Sequence, residues 1–250
     1  STESHYNSTQ TITIEDNTFT NSSTVLNGGV MYLISADDGT LTMNMRNNTF
    51  TASYAADGVV LAVESYNTSK QDITITENTF TNNVAQNDGV LTIYCDNSST
   101  QSITITDNEF TSNSANNYRG VMRFQSAGIS TQTIDMNGNT FTNNTSQRRA
   151  GVMYIESRDS ATQNATIENN GFDNNRAQEY GVMVIYGAGS SKQNVKVRSN
   201  TFTNNNAQLN GGVMWVVVDT IPTQTVNFEN NTFTNNTAAQ RGGALHIQGY

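Results

Sequence analysis

Residues able to do acid–base, metal or nucleophilic chemistry are few in this 250-residue chain, and they are scattered. The one cysteine, Cys95, excludes an internal disulfide framework and any cysteine-based metal cluster. The two histidines, His5 and His246, stand at opposite ends of the sequence, without the spacing of a ligand pair. General acid–base hydrolysis needs two carboxylates in one site, and Ca²⁺ needs several oxygen ligands together. The acids here do not gather in that way: Asp37-Asp38 sits in a variable loop and reads as a solvated tip. No catalytic, metal or cofactor site is expected.

Twenty-one acids against 12 bases give a net charge of -9 and a sequence pI near 4.5, with no basic footprint for phosphate neutralisation. Nucleic acid is therefore excluded as a partner. The longest wholly apolar run, Val213-Met214-Trp215-Val216-Val217-Val218, is far shorter than the roughly 20 residues of a bilayer span. No membrane insertion by this segment is expected. Only 13% of residues are charged; amide and hydroxyl take their place, with 37 Asn and 36 Thr. Such a composition fits a disordered polar tract or a repetitive β protein, and a single Pro with 8% aromatics favours the second.

The elements that position these side chains follow from a repeat. Phe19, Phe50, Phe80, Phe110, Phe141, Phe172, Phe202 and Phe233 recur every 30 or 31 residues, and Gly29, Gly58, Gly89, Gly120, Gly151, Gly181, Gly212 and Gly243 keep the same beat. Eight units cover nearly the whole chain, so residues 1–250 read as a single domain. Period-2 alternation predicts three short strands per unit. The first carries inward pairs such as Ile12/Ile14, Ile73/Ile75 and Val195/Val197, the second is Thr-Phe-Thr with its Phe inward, and the third follows the glycine. In that third strand the second and fourth residues after Gly are read as inward, from Met31/Leu33 and Val60/Ala62 through Leu91/Ile93, Met153/Ile155 and Met214/Val216 to Leu245/Ile247. Cys95 falls on the inward side and reads as a small core filler.

Two residues before every Phe stands an asparagine: Asn17, Asn48, Asn78, Asn108, Asn139, Asn170, Asn200 and Asn231. A structural Asn ladder is expected there, since Asn tolerates the left-handed backbone of a tight bend and amides one strand spacing apart hydrogen-bond along a stack. Gln71, Gln101, Gln132, Gln163, Gln193 and Gln224 form a second amide column, and Asn83, Asn113, Asn144, Asn175, Asn205 and Asn236 a third. Tight bends and self-stacking side chains describe an all-β fold, a parallel β-helix (solenoid) of eight coils of about 30–31 residues, each touching only its neighbours and together roughly 38 Å long.

The F-x-x-N signature (FTNN at 80–83, 141–144, 202–205 and 233–236), followed by G-V-M/L or GGAL (242–245), resembles the FxxN and GGA(I/L/V) repeats of chlamydial polymorphic outer-membrane proteins. More broadly it is similar to the right-handed parallel β-helix of the pectin-lyase-like superfamily. The resemblance implies a right-handed coil and a cell-surface or secreted setting. Many β-helices of that superfamily act on acidic polysaccharides, on the outer face of one sheet. Here the outward positions of the glycine-led strand read Val30/Tyr32, Val59/Leu61, Val90/Thr92, Val121/Arg123, Val152/Tyr154, Val182/Val184, Val213/Trp215 and Ala244/His246, with no acid among them. The outer face of the first strand offers Glu15, Arg46, Glu168, Arg198 and Glu229, the alternating signs of ion pairs between coils.

Two surface functions remain. The outer stripe Tyr32, Leu61, Tyr94, Tyr154, Val184, Tyr186, Trp215 and Val217 is richer in apolar side chains than an exposed sheet should be. It reads either as an interface or as a face covered by the bulky loops. The outward threonines Thr18 and Thr20, Thr49 and Thr51, Thr79 and Thr81, Thr140 and Thr142, Thr201 and Thr203, and Thr232 and Thr234 are expected to form a flat array. Interrupted at Glu109 and at Gly171/Asp173, it resembles the ice-binding face of solenoid antifreeze proteins. Tyr250 falls at the register of Asp96, and no polar cap precedes Ser1, so the chain is expected to be an excerpt of a longer array or a unit that stacks end to end. Ten N-x-S/T sequons, among them Asn67, Asn97 and Asn144, fit a secreted glycoprotein. The expectation is a non-enzymatic extracellular or cell-surface scaffold, adhesive or filament-forming. Its expected partners are other copies, neighbouring repeats, or a host or matrix surface.

Overall fold

Each coil begins with seven residues of strict alternation, which a strand can bury on one face and wet on the other. In one coil this strand is Thr100–Thr106. The left-handed Asp107 (φ 55°) turns the chain into Glu109–Thr111, and the left-handed Ser112 (φ 56°) turns it again into Ser114–Ala115. A longer bend leads to Met122–Ser126, and a turn returns the chain to Thr131–Asn137, which pairs in parallel with Thr100–Thr106 residue for residue. The structure, a computed structural model, describes residues 1–220 and 222–249; Ile221 and Tyr250, with the register argument made on Tyr250, lie outside the described residues.

Among the described residues this path builds four parallel sheets: a long-strand sheet of eight, a phenylalanine sheet of eight, a short alanine sheet of seven and a glycine-led sheet of nine. The all-β parallel β-helix of eight coils is thus as the repeat predicts, and the three predicted strands per coil are present. The fourth ribbon is additional. Its inward residue stands five after Phe (Ala55, Ala85, Ala115, Ser146, Ala177, Ala207), and strands of two to five residues with one small inward side chain among polar neighbours offer no alternation to read.

One continuous core runs through all coils. Its phenylalanines stack from Phe19 to Phe233 with centroids 4.4 to 5.1 Å apart and ring planes within 10° of parallel. Two inward assignments in the glycine-led sheet need correction. Leu61, expected on the outer stripe, pairs with Met31 and Leu91 and is fully buried in the core, while Ala62 faces outward beside Tyr32. Gly58 lies one residue earlier than the other repeat glycines, with Val59 at their position, and a one-residue slip exchanges the faces of a strand. The valine directly after the glycine (Val90, Val121, Val152, Val182, Val213), read as outward, also points inward, since it precedes the strand in a bend where period-2 alternation does not hold; Val60 points inward as expected. The glycines serve close approach: a Cβ on Gly120 would sit 1.9 Å from the Gly151 carbonyl oxygen.

The asparagine ladder exists, for a reason other than backbone strain. The residue before each ladder Asn takes the positive φ (Asp16, Asn47, Glu77, Asp107, Gly138, Asn169, Ser199, Asn230), while the ladder residues themselves do not. Asn108 is representative: its Nδ2 donates to Ile75 O (2.8 Å), Thr106 O (2.9 Å) and Asn139 Oδ1 (3.0 Å). Its own Oδ1 accepts from the Asn78 backbone N–H at 2.8 Å and from Asn78 Nδ2 at 3.0 Å. The side chain closes backbone groups that a bend leaves without partners inside the core. In the second asparagine column each Nδ2 caps the Phe carbonyl of the preceding coil, as Asn113 does for Phe80 at 2.9 Å. The glutamines link Nε2 to Oε1 at 2.7 to 2.8 Å from Gln71 to Gln224. Cys95 is buried in a column of serines (Ser35, Ser65, Ser126, Ser157), where burial pushes its thiol pKa up.

Candidate functional site

Inward columns hold one residue type through most coils. The outer face of the glycine-led sheet does not: it carries Tyr32, Ala62, Thr92, Arg123, Tyr154, Val184, Trp215 and His246 in its first outward row. The second row holds Ile34, Glu64, Tyr94, Gln125, Glu156, Tyr186, Val217 and Gln248. The expectation that this face carries no acid is thereby corrected. Glu64 and Glu156 stand in the second row, and Asp88 faces them from the bend before the strand.

Asp88 and Glu156 anchor a charge network across the coils. Arg119 Nη1 and Arg123 Nη1 donate to Asp88 Oδ2 at 2.7 and 3.0 Å. Their Nη2 atoms lie 3.7 and 3.8 Å from Glu156 Oε2, and Arg158 closes on Glu156 Oε1. Glu156 is 0% exposed, so three guanidiniums share one fully buried carboxylate. Burial alone would lower the Arg119 pKa, but Asp88 and Glu156 outweigh it and hold it above its ordinary value. For Arg123 burial wins, reinforced by the Arg119 charge, and the pKa falls. Arg149 Nε donates to Glu179 Oε2 at 3.1 Å.

The arginines roof a second, separate apolar cluster of Ala150, Tyr154, Tyr180, Val184, Trp215 and Val217, with Tyr186 packed against it. Arg119 lies 4.2 Å over the Tyr154 ring, Trp215 stacks on Tyr180 at 4.5 Å, and Arg149 is 5.7 Å above Trp215. Of the predicted interface stripe, then, Tyr154, Val184, Trp215 and Val217 are covered by the chain's own side chains, and Tyr32, Tyr94 and Tyr186 are half-buried. In the middle coils the cover is arginine side chains of the same face. The tyrosines of the remaining coils bind carboxylates: Tyr66 donates to Glu64 and Tyr94 to Asp96, each at 2.8 Å. Burial and these acceptors push the Tyr32 and Tyr186 pKa values up to about 12 and those of Tyr66 and Tyr94 higher still. Burial likewise raises the Asp57 carboxyl.

Between the arginines lies a pocket of about 190 Å³ lined by Tyr118, Arg119, Arg149, Tyr154, Arg158, Tyr186 and Trp215. The arrangement can hold an anion by charge-assisted hydrogen bonds, and no carboxylate is among the lining side chains. Among the described residues, no group of three or more His, Cys, Asp or Glu side chains could hold a metal ion.

The threonines of the phenylalanine sheet pair in register, with Thr18 and Thr20 beside Thr49 and Thr51, and these beside Thr79 and Thr81. Glu109 interrupts one column, while the other continues from Thr81 through Thr111 to Thr142. Gly171 and Asp173 then interrupt both and open a dent of about 390 Å³. Beyond them Thr201 pairs with Thr232 and Thr203 with Thr234. Thr234 is exposed at the end of its column, whereas Thr51, Thr81, Thr142 and Thr203 are half-buried between neighbouring coils. The Thr234 carbonyl accepts from the Asn204 N–H at 3.0 Å, so its backbone serves the coil while its hydroxyl faces solvent.

On the long-strand face the expected ion pairs between coils form, with Arg198 donating to Glu168 at 2.7 Å and Arg46 lying 3.8 Å from Glu15. Among the sequons, Asn67 and Asn97 are exposed at left-handed bends, whereas Asn144 is fully buried in an amide column.

The residues that sequence reasoning missed are Asp88, Arg119 and Glu156. A signal was present: at the fifth position after the repeat glycine the apolar series Ile34, Tyr94, Tyr186, Val217 is interrupted by Gln125 and Glu156, and a charged residue under a stripe of aromatics calls for a counter-ion. No curated protein and no solved structure matches the chain. A family model described as a right-handed β-helix region matches residues 44–249. With four-fifths of the sequence matched, and with parallel sheets wound coil upon coil, the chain belongs to the right-handed β-helix family.

Proposed function

We propose that the chain is a non-enzymatic structural or adhesive scaffold, acting outside the cell or at its surface, whose contact face is the outer side of the glycine-led sheet. The observation that carries this reading is the gathering of Arg119, Arg149 and Arg158 over buried aromatic side chains on that face. The Phe, Asn and Gln columns repeat because stacking demands it, while the arginine–aromatic cluster serves no stacking need and opens onto a pocket. Asp88 and Glu156 are committed to arginines rather than free to move protons, which supports binding over turnover. The likeness of the F-x-x-N repeats to chlamydial surface proteins supports the location, and the partners proposed are other copies, neighbouring repeats or a matrix surface. The test is incubation of the purified protein with polyuronates and neutral polysaccharides. Intact chain lengths are expected; release of new reducing or unsaturated ends by wild type overturns the reading.

A second reading is favoured by the in-register Thr pairs, whose side chains alternate to one face about 7 Å apart along a strand and about 4.8 Å apart between coils. On that reading the phenylalanine sheet binds ice, chiefly through the three-coil patch from Thr18 to Thr81, with the two-coil patch ending at Thr234 adding a smaller area. Thermal hysteresis of the purified protein checks it, and ordinary crystal growth ends it.

A further inference from the structure

We infer that the pocket beneath Arg149 and Arg158 receives a carboxylate, presented by an acidic segment of a partner protein; this rests on the glycine-led face being the contact face. Five of the chain's 12 cationic side chains (Arg119, Arg123, Arg148, Arg149, Arg158) gather here in a molecule of net charge -9. Three guanidiniums and no carboxylate line the pocket, because Asp88 and Glu156 lie buried to the side. Two buried donors at its wall, Arg119 Nε and Trp215 Nε1, have no hydrogen-bond acceptor. A buried donor without an acceptor costs about 1–3 kcal/mol, so a ligand bringing oxygen acceptors gains what the empty wall lacks. The same network leaves Glu156 Oε2 with ion pairs but no hydrogen bond. That oxygen faces Arg119 and Arg123 and helps hold their guanidiniums in place.

The rings decide between classes of anion. A sugar ring would stack on a bare aromatic face. Here Tyr154 is 4% and Trp215 7% exposed, the first under Arg119 and the second against Tyr180, while the more open Tyr118 and Tyr186 carry Arg148 and Arg158 over their rings at 4.8 and 5.7 Å. What remains open is guanidinium N–H, whose planar fork matches a carboxylate in two parallel hydrogen bonds. About 190 Å³ admits an aspartate or glutamate side chain. Further along the same face, Glu64 and Asp57 line the neighbouring pocket and repel an acid, which confines the site to the arginine coils.

The experiment is fluorescence anisotropy of a labelled oligoglutamate peptide titrated with the full chain at low and physiological salt. Compared with wild type are R149Q/R158Q and, as a control of equal charge change on the long-strand face, K192Q/K196Q. Arg149 and Arg158 are 35% and 48% exposed, and Arg119 and Arg123 still face the buried Glu156 in their double variant, which therefore retains the fold, as its melting temperature verifies. W215F is the independent second variant, removing the indole N–H while keeping a ring. Wild type is expected to bind, R149Q/R158Q to weaken by about tenfold or more, W215F by several-fold, and K192Q/K196Q to stay within about twofold. Equal loss in the two double variants, no binding by wild type, or preferential binding of inorganic phosphate or of a charge-matched polyuronate each overturns the assignment. None of these outcomes bears on the scaffold reading, which falls only to polysaccharide turnover.

Discussion

The inward columns of the long-strand and phenylalanine sheets and the outer face of the glycine-led sheet share one backbone repeat but follow opposite rules. In the first region a side chain's best neighbour is a copy of itself. Phe110 lies between Phe80 and Phe141, and Asn108 between Asn78 and Asn139, each meeting the same geometry above and below. In the second, copies are excluded. Arginine cannot stack on arginine without repulsion, so Arg119 and Arg123 are adjacent only because Asp88 and Glu156 lie between them. The difference teaches that a solenoid's columns report its stability, while a face where the columns fail reports something else that the coils are asked to do.

The comparison can be broken at its strong side first. Asn108→Ala removes three donated hydrogen bonds and strands the Asn78 N–H and the Ile75 carbonyl in the interior. At about 1–3 kcal/mol per buried orphan, the loss should reach about 4 kcal/mol, or about 8–16 °C in melting temperature for a chain of this length, measured by thermal circular dichroism. Unchanged melting would mean that the ladders follow from the fold without stabilising it. Glu156→Gln probes the other region. It leaves Arg119, Arg123 and Arg158 without their shared buried charge, an expected cost of about 3 kcal/mol by denaturant melts, while Glu156→Gln combined with Arg158→Gln recovers part of it. A smaller effect concerns pH. Tyr66 and Tyr94 hold their protons more tightly folded than unfolded, so their contribution is complete below about pH 10, where unfolded tyrosine begins to ionise, and is lost as pH rises further. The double variant Y66F/Y94F should show a flatter alkaline fall in melting temperature than wild type; identical profiles would exclude these two hydroxyls as its source.

What was legible in the sequence divides along the same line. The Phe and Asn columns announce themselves because their spacing is the coil length, and the seven-residue strands announce themselves because Ile73/Ile75 or Val195/Val197 alternate with polar neighbours. The threonine pairs from Thr18 to Thr234 are equally plain in spacing, and so are their interruptions at Glu109 and at Gly171/Asp173. The alanine sheet escapes because its strands, two to five residues long, carry no alternation of apolar and polar residues, although Ala85, Ala115 and Ala177 keep a fixed distance from Phe. A single early glycine puts Leu61 on the wrong face of the sequence reading, since strand registers admit no half measures. The arginine cluster escapes most completely. Asp88 and Arg119 share one repeat position, just before Gly89 and Gly120, but Glu156 comes from a third coil and another position, so only the winding of the chain brings all three charges together. Tyr154 and Trp215 read correctly as outward, yet outward proved to mean covered.

The division between columns that stabilise and a face that binds is tested most directly by measuring melting temperature and oligoglutamate affinity on the same two variants, Asn108→Ala and R149Q/R158Q. Asn108→Ala should lose melting temperature and keep its affinity at temperatures where it is folded, while R149Q/R158Q should keep its melting temperature and lose affinity. Both properties falling together in either variant would contradict the division.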